Sequence, residues 1–201
     1  MKLSEIMIVP EQNFPSEKIK EYFSLASDAG KFPYAQFETR YLNSNGELLI
    51  FLHQNEEIAA FTGFKQLSQT TVQGKNAQVF SDFKGQGLVA KIYKFVNHDL
   101  KKTILSDIMQ SSSGANLWKK TLPSIGITPK IFDTEDEYII DPNAYPEMFN
   151  EILSKVYQDE SSDEKFKYCW IIENDRRLIE NNLLYENKLL FPIKGIIPKP
   201  I

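Results

Sequence analysis

The stretch "SDFKGQGLVAKIYKF", residues 81–95, constrains the fold more than any other, because the hydrophobic period changes within it. Upstream lie three β-rich runs, "ELLIFLHQ", "EIAAFTGF" and "TVQGKNAQVF". "NSNG" precedes the first, and a polar turn around Asn55 separates the first two. Connections this short leave no room for helical crossovers, so the strands must pair antiparallel. From Leu88 the period lengthens: Leu88, Ile92, Phe95 and Val96 fall on one helical face. Between the two regimes stand Gly85 and Gly87. Glycine inside a helix costs about 1 kcal/mol against alanine. In a turn it lets backbone N–H groups approach a ligand. The pattern predicts a strand, a glycine turn and a helix whose first amides face outward.

The flanking segments fit a mixed α/β (α+β) fold, with a mostly antiparallel twisted sheet flanked by helices. "SEKIKEYFSLASDAG" spaces Ile19, Phe23 and Ala26 as a helix, with Ser16 as N-cap and Gly30 as stop. "TILSDIM" reads as a short strand and "QSSSG" as a polar loop. "ANLWKKTLP" reads as a short helix closed before Pro123. "KIFD" and "EYII" are strand-like, and "YPEMFNEILSKVY" is an amphipathic helix with Met148, Ile152 and Val156 four apart. "QDESSDEK" reads as an exposed loop, and "FKYCWII" with "RRLIE" as a hairpin around "END". The expected organisation is a domain over residues 1–141 and a C-terminal extension, 142–201, packed on it. Tyr145, Phe149, Tyr157, Tyr168 and Trp170 supply that extension with apolar surface, and it is expected to help shape the acceptor side.

Composition narrows the function. A chain of 201 residues suffices for one core. Its net charge of −4 argues against general nucleic-acid binding. A single cysteine, Cys169, excludes an intrachain disulfide and suits a reducing compartment. No apolar run approaches the roughly 20 residues that span a bilayer, so no membrane partner and a cytoplasmic location are expected. The glycine turn lacks the third glycine of a dinucleotide fingerprint and the G-K-[ST] ending of a P-loop.

"KGQGLVAKIY" resembles the acyl-coenzyme A signature of the GNAT N-acyltransferases, R/Q-x-x-G-x-G/A. Lys84, Gly85, Gln86, Gly87, Leu88 and Val89 fall on its six positions. The resemblance covers about residues 40–125, and implies acetyl-coenzyme A as co-substrate and an amine-bearing acceptor. It implies that the amides through Ala90 bind the pyrophosphate at the start of the main helix. Lys84 replaces the usual arginine or glutamine but keeps the charge, whereas Val89 stands where a small residue is usual. In the family, the strand after the main helix splays from its neighbour to admit the coenzyme arm. The helix that follows often carries an asparagine touching the coenzyme and a tyrosine acting as acid. Asn116 is the candidate for the first role; Trp118 is that helix's only aromatic residue. Asp107 and Ser106, with Ser111 to Ser113, are polar candidates for the acceptor and proton transfer.

GNAT enzymes usually transfer directly, so Cys169 is expected to be a buried strand residue. His53 reads as an edge or turn residue, and His98 as a charge at the helix C-terminus. A second reading keeps the fold as a binding or inhibitory module without turnover.

Overall fold

The computed structural model describes residues 15–107, 112–136, 138–158 and 167–174. Five consecutive strands pair antiparallel: β1 (Ser27–Lys31), β2 (Glu38–Ser44), β3 (Glu47–Gln54), β4 (Glu57–Gln66) and β5 (Thr71–Val79). Their hairpins follow from turn chemistry. Asn45 and Gly46 close one at φ 52° and 75°, and Asn55 and Glu56 close the next at φ 50° and 63°. Positive φ at both central residues matches the twist of the flanking strands.

β5 continues through a 3₁₀ turn (Ser81–Phe83) into helix α2 (Leu88–His98), which leads to β6 (Thr103–Leu105). β6 pairs with β5 in parallel, the sole parallel pair among the described strands. The sheet is completed by β7 (Lys130–Asp133), β8 (Tyr138–Ile140) and β9 (Tyr168–Ile172), in the order β1-β2-β3-β4-β5-β6-β9-β7-β8. It is the mixed, mostly antiparallel sheet that the short connections require.

β3 is buried on both faces because a helix covers each. Leu48, Ile50 and Leu52 join the main core with Leu88, Ile92 and Val96 of α2. Leu49 and Phe51 instead pack with Ile19 and Phe23 of helix α1 (Ser16–Leu25). A strand covered on both sides reads as a continuous apolar run, and "LLIFL" is one.

Three local expectations are corrected. The N-cap of α1 is Pro15, and no side chain caps it. Its end falls at Leu25 rather than Gly30, because Ala26 is already extended and residues 27–31 are drawn into the sheet against β2. The helix after β6, here α3, runs from Ser112–Asn116 through a π-turn (Leu117–Thr121) to Leu122–Ser124. It therefore continues past Pro123, which sits in the first positions of its last segment, where a missing N–H costs little. "FKYCWII" forms a strand as expected, β9, which pairs antiparallel with β6 on one side and β7 on the other. Its expected hairpin partner "RRLIE", and residues 159–165 of the acidic loop, lie outside the described residues.

Helix α4 (Pro146–Gln158) follows β8 and buries Ile152 in the main core. Its Phe149 meets the Trp170 ring edge-on at 5.9 Å. Among the described residues, no helix is long and apolar enough to cross a membrane.

Candidate functional site

The parallel ladder between β5 and β6 is short. Thr71 pairs with Thr103, Val72 with Ile104 and Gln73 with Leu105, and there it stops. On its other side β6 pairs with β9 through Ile104 and Leu105, and the Ser106 amide continues that pairing by donating to the Trp170 carbonyl at 2.8 Å. The Ser106 hydroxyl accepts from the Trp170 amide at 3.0 Å and donates to the Asp107 carbonyl at 2.9 Å. On the other side β5 bulges. Phe64 pairs with Gly74 but Thr62 pairs with Ala77, so β5 has one residue more than β4 across that step. A bulge bends and twists its strand, and bulges favour the neighbourhood of active sites. The described ladder between β5 and β6 ends beside Gly74.

A side chain from α2 reaches the end of that ladder. A Cβ added to Gly74 would collide with the Tyr93 hydroxyl, and would lie 3.2 Å from Tyr93 Cζ and 3.7 Å from the Leu105 carbonyl oxygen. The Tyr93 ring is only 5% exposed. It packs against Phe64 at 5.2 Å and edge-on to Trp118 at 5.5 Å. Burial, reinforced by the negative charge of Asp107, raises its phenol pKa well above the ordinary tyrosine range. None of the hydrogen bonds among the described residues engages the Tyr93 hydroxyl.

Beyond the bulge, the Phe80 amide still reaches the Ala59 carbonyl at 3.0 Å before the chain leaves the sheet. Gly85 at φ 81° and Gly87 at φ 66° then take left-handed conformations, and Gly87 is the N-cap of α2. Non-glycine residues disfavour that region by roughly 1–2 kcal/mol. The Lys91 amide bonds the Gly87 carbonyl at 3.1 Å, which opens the helical ladder. The amides from Gly85 to Ala90 enter none of the described hydrogen bonds, and no side chain caps the helix. Leu88 and Ala90 are buried in the main core, and Val89 packs against it. Val89 is half-buried, touching the core with part of its side chain, while Lys84, Gly85 and Gln86 are exposed. Beside the turn is an open cleft of about 350 Å³, lined by Gln36, Phe37, Gln54, Phe83, Gln86 and Lys91 among others.

The remaining candidates separate. Asp107 follows Ser106 just beyond the end of β6, half-buried and within electrostatic reach of Tyr93. Ser106 is 1% exposed and its hydroxyl is committed to backbone. Asn116 is exposed at the end of the first segment of α3, with its carbonyl accepting from the Thr121 hydroxyl at 3.4 Å. Cys169 is wholly buried in β9, where burial and the nearby Asp133 push its thiol pKa upward. His53 is buried rather than at an exposed edge, meeting Phe23 edge-on at 5.2 Å, because α1 lies over that end of β3. His98 is exposed at the end of α2. Sequence reasoning passed over Tyr93. Its one signal was Gly74 inside a strand run, which marks a close approach by another group. Among the described residues, no group of three or more His, Cys, Asp or Glu could hold a metal ion.

Antiparallel strands, a glycine turn opening a core helix, and then a strand and a short helix are the order the GNAT resemblance implied. No protein-family model matches the chain, and no curated protein matches it. Among solved structures, it is similar to the ribosomal-protein-S18-alanine N-acetyltransferase from Escherichia coli, at 22% identity and a TM-score of 0.35. The match covers 48% of this chain and 66% of that one. A likeness at this level concerns chain path alone.

Proposed function

We propose that this chain is an N-acyltransferase that takes an acetyl group from acetyl-coenzyme A and passes it to an amine by direct attack. The observation that carries this reading is the turn at Gly85 and Gly87. It delivers unengaged amides at the start of α2, where the helix dipole favours an anion. The same strand that feeds the turn bulges beside Gly74, where the described β5–β6 ladder ends. In this reading the amides from Gln86 to Ala90 hold the pyrophosphate, with Lys84 adding positive charge and Asn116 a further contact. The arm runs along β5 towards Gly74.

The amine nitrogen attacks the thioester carbonyl, a C–N bond forms and the C–S bond breaks. One proton leaves the nitrogen and one is taken up by sulfur. In this reading Asp107, half-buried just beyond the end of β6, receives the first of these, directly or through water. Holding donor and acceptor together supplies rate by proximity. The second reading, a binding module without turnover, draws on the committed hydroxyl of Ser106 and the lack of a tyrosine in α3. Calorimetric titration with acetyl-coenzyme A tests both, because binding is expected in either. Release of free thiol with a panel of amines then separates them. Absence of binding would overturn both.

A further inference from the structure

We infer that the cleft beside the glycine turn is a subsite for a purine nucleoside phosphate. Three observations point to it. The cleft holds about 350 Å³, the size of a small-molecule site. Its polar side chains come from four separate places in the chain: Gln36 from the β1–β2 connection, Gln54 from the end of β3, Gln86 from the turn and Lys91 from α2. Among the described residues, none of these four side chains enters a hydrogen bond or an ion pair. Finally, Lys91 is the single charged residue in the lining, so the cleft favours an anion.

Phe37 and Phe83 line the same cleft and meet edge-on at 5.7 Å. Phe83 is half-buried, so part of its ring is open to a ligand. A planar base stacks on such a ring and presents donors and acceptors along its edge. Adenine suits the amides in particular, because one glutamine can pair with its N6 and N7 together. An ammonium complements the phosphate.

The cleft lies on one flank of α2. Lys91 and Tyr93, two positions apart, are separated by about 200° around the helix. Tyr93 meets Gly74 and Trp118. Lys91 and Lys94 are instead on the flank facing the β1–β2 connection, where Lys94 lies 5.0 Å over the Tyr34 ring. A nucleotide in the cleft is therefore on the far flank of α2 from the β5–β6 ladder. Two sources carry this chemistry: a free purine nucleotide, and the adenosine 3′-phosphate end of the coenzyme. The second source rests on the acyltransferase reading, and the subsite itself does not.

Adenosine 3′,5′-bisphosphate is the probe, titrated by calorimetry into the wild type, Lys91→Met and Gln54→Ala. Circular dichroism checks that both variants fold. The wild type should bind it. Affinity should fall about tenfold in Lys91→Met and about fivefold in Gln54→Ala, the loss of one charge-assisted and one neutral hydrogen bond. Uridine 3′,5′-bisphosphate should bind several-fold more weakly, since its single ring offers less stacking area and no N6–N7 edge. Absence of binding, or equal affinity in all three proteins, would overturn the subsite. Equal affinity for the two bisphosphates would overturn the purine assignment. Acetyl-coenzyme A separates the sources. If it displaces the bisphosphate and weakens in the same two variants, the cleft holds the coenzyme's own nucleotide end. If both bind together, the cleft is a separate nucleotide site. Were the bisphosphate to bind as expected and acetyl-coenzyme A not at all, the acyltransferase reading would fall and the subsite would stand.

Discussion

The indole planes of Trp118 and Trp170 lie within 9° of parallel, with centroids 6.4 Å apart. Trp118 belongs to the helix after β6 and Trp170 to the C-terminal strand β9, so the pair ties two distant parts of the sequence together. Tyr93 stands edge-on to Trp118 on one side, and Phe149 of α4 meets Trp170 on the other. The aromatic chain runs from Gly74 to α4. Trp170→Ala should cost about 3–5 kcal/mol, the range for a buried tryptophan. A shift of the urea midpoint worth less than about 1 kcal/mol would contradict that account.

The chain should not survive truncation after Asp141. β9 sits between β6 and β7, and removing it would leave two strand edges and the face of Trp118 uncovered. Circular dichroism and a cooperative thermal transition are the readout. A truncated protein that still melts cooperatively would refute the prediction.

At the turn, two substitutions separate strain from ligand binding. Nothing lies within 4 Å of a Cβ placed on Gly87, so Gly87→Ala meets only the cost of a left-handed backbone, about 1 kcal/mol. Gly87→Asp adds a negative charge where the pyrophosphate is proposed to sit. Its affinity for acetyl-coenzyme A should fall at least tenfold relative to Gly87→Ala, measured by calorimetry. Equal affinities would place the anion elsewhere.

Cys169 should behave as a core residue. Its thiol is buried and its pKa raised, so alkylating reagents should leave it untouched until the protein is unfolded. Any acyl transfer should persist in Cys169→Ala. An acylated Cys169 peptide recovered during turnover would refute direct attack.

Lys130 joins Asp141 at 2.9 Å and Glu173 at 2.7 Å, linking the ends of β7, β8 and β9. Burial acts to raise the Asp141 carboxyl, but the hydrogen bonds from Lys130 and the Asn143 amide outweigh it and hold the pKa below the usual value. A depressed folded pKa means that the contribution is complete above the unfolded value of about 4 and is lost as pH falls through the folded one. Asp141→Asn should therefore lose stability at neutral pH and show a shallower further loss in acid. Parallel acid limbs for the two proteins would sink this assignment.

Periodicity and turn chemistry are local, and they were legible from the residues alone. Asn45-Gly46 and the Asn55 turn fixed the hairpins, the run from Leu48 to Leu52 marked a strand covered on both faces, and the shift of period at Leu88 marked the helix behind a glycine turn. Other features depend on groups far apart in sequence. The end of α1 at Leu25 was decided by sheet pairing with β2, and the place of β9 by openings on β6 and β7. The commitment of the Ser106 hydroxyl to Trp170, 64 residues on, could not be read from its neighbours. Nor could the meeting of Gly74 with Tyr93, one of which reads as a weak point in a strand and the other as a helix-face aromatic. Local patterns record which face a residue presents. Only the packed sheet decides what stands opposite that face, because such contacts are set by the global register of strands and helices.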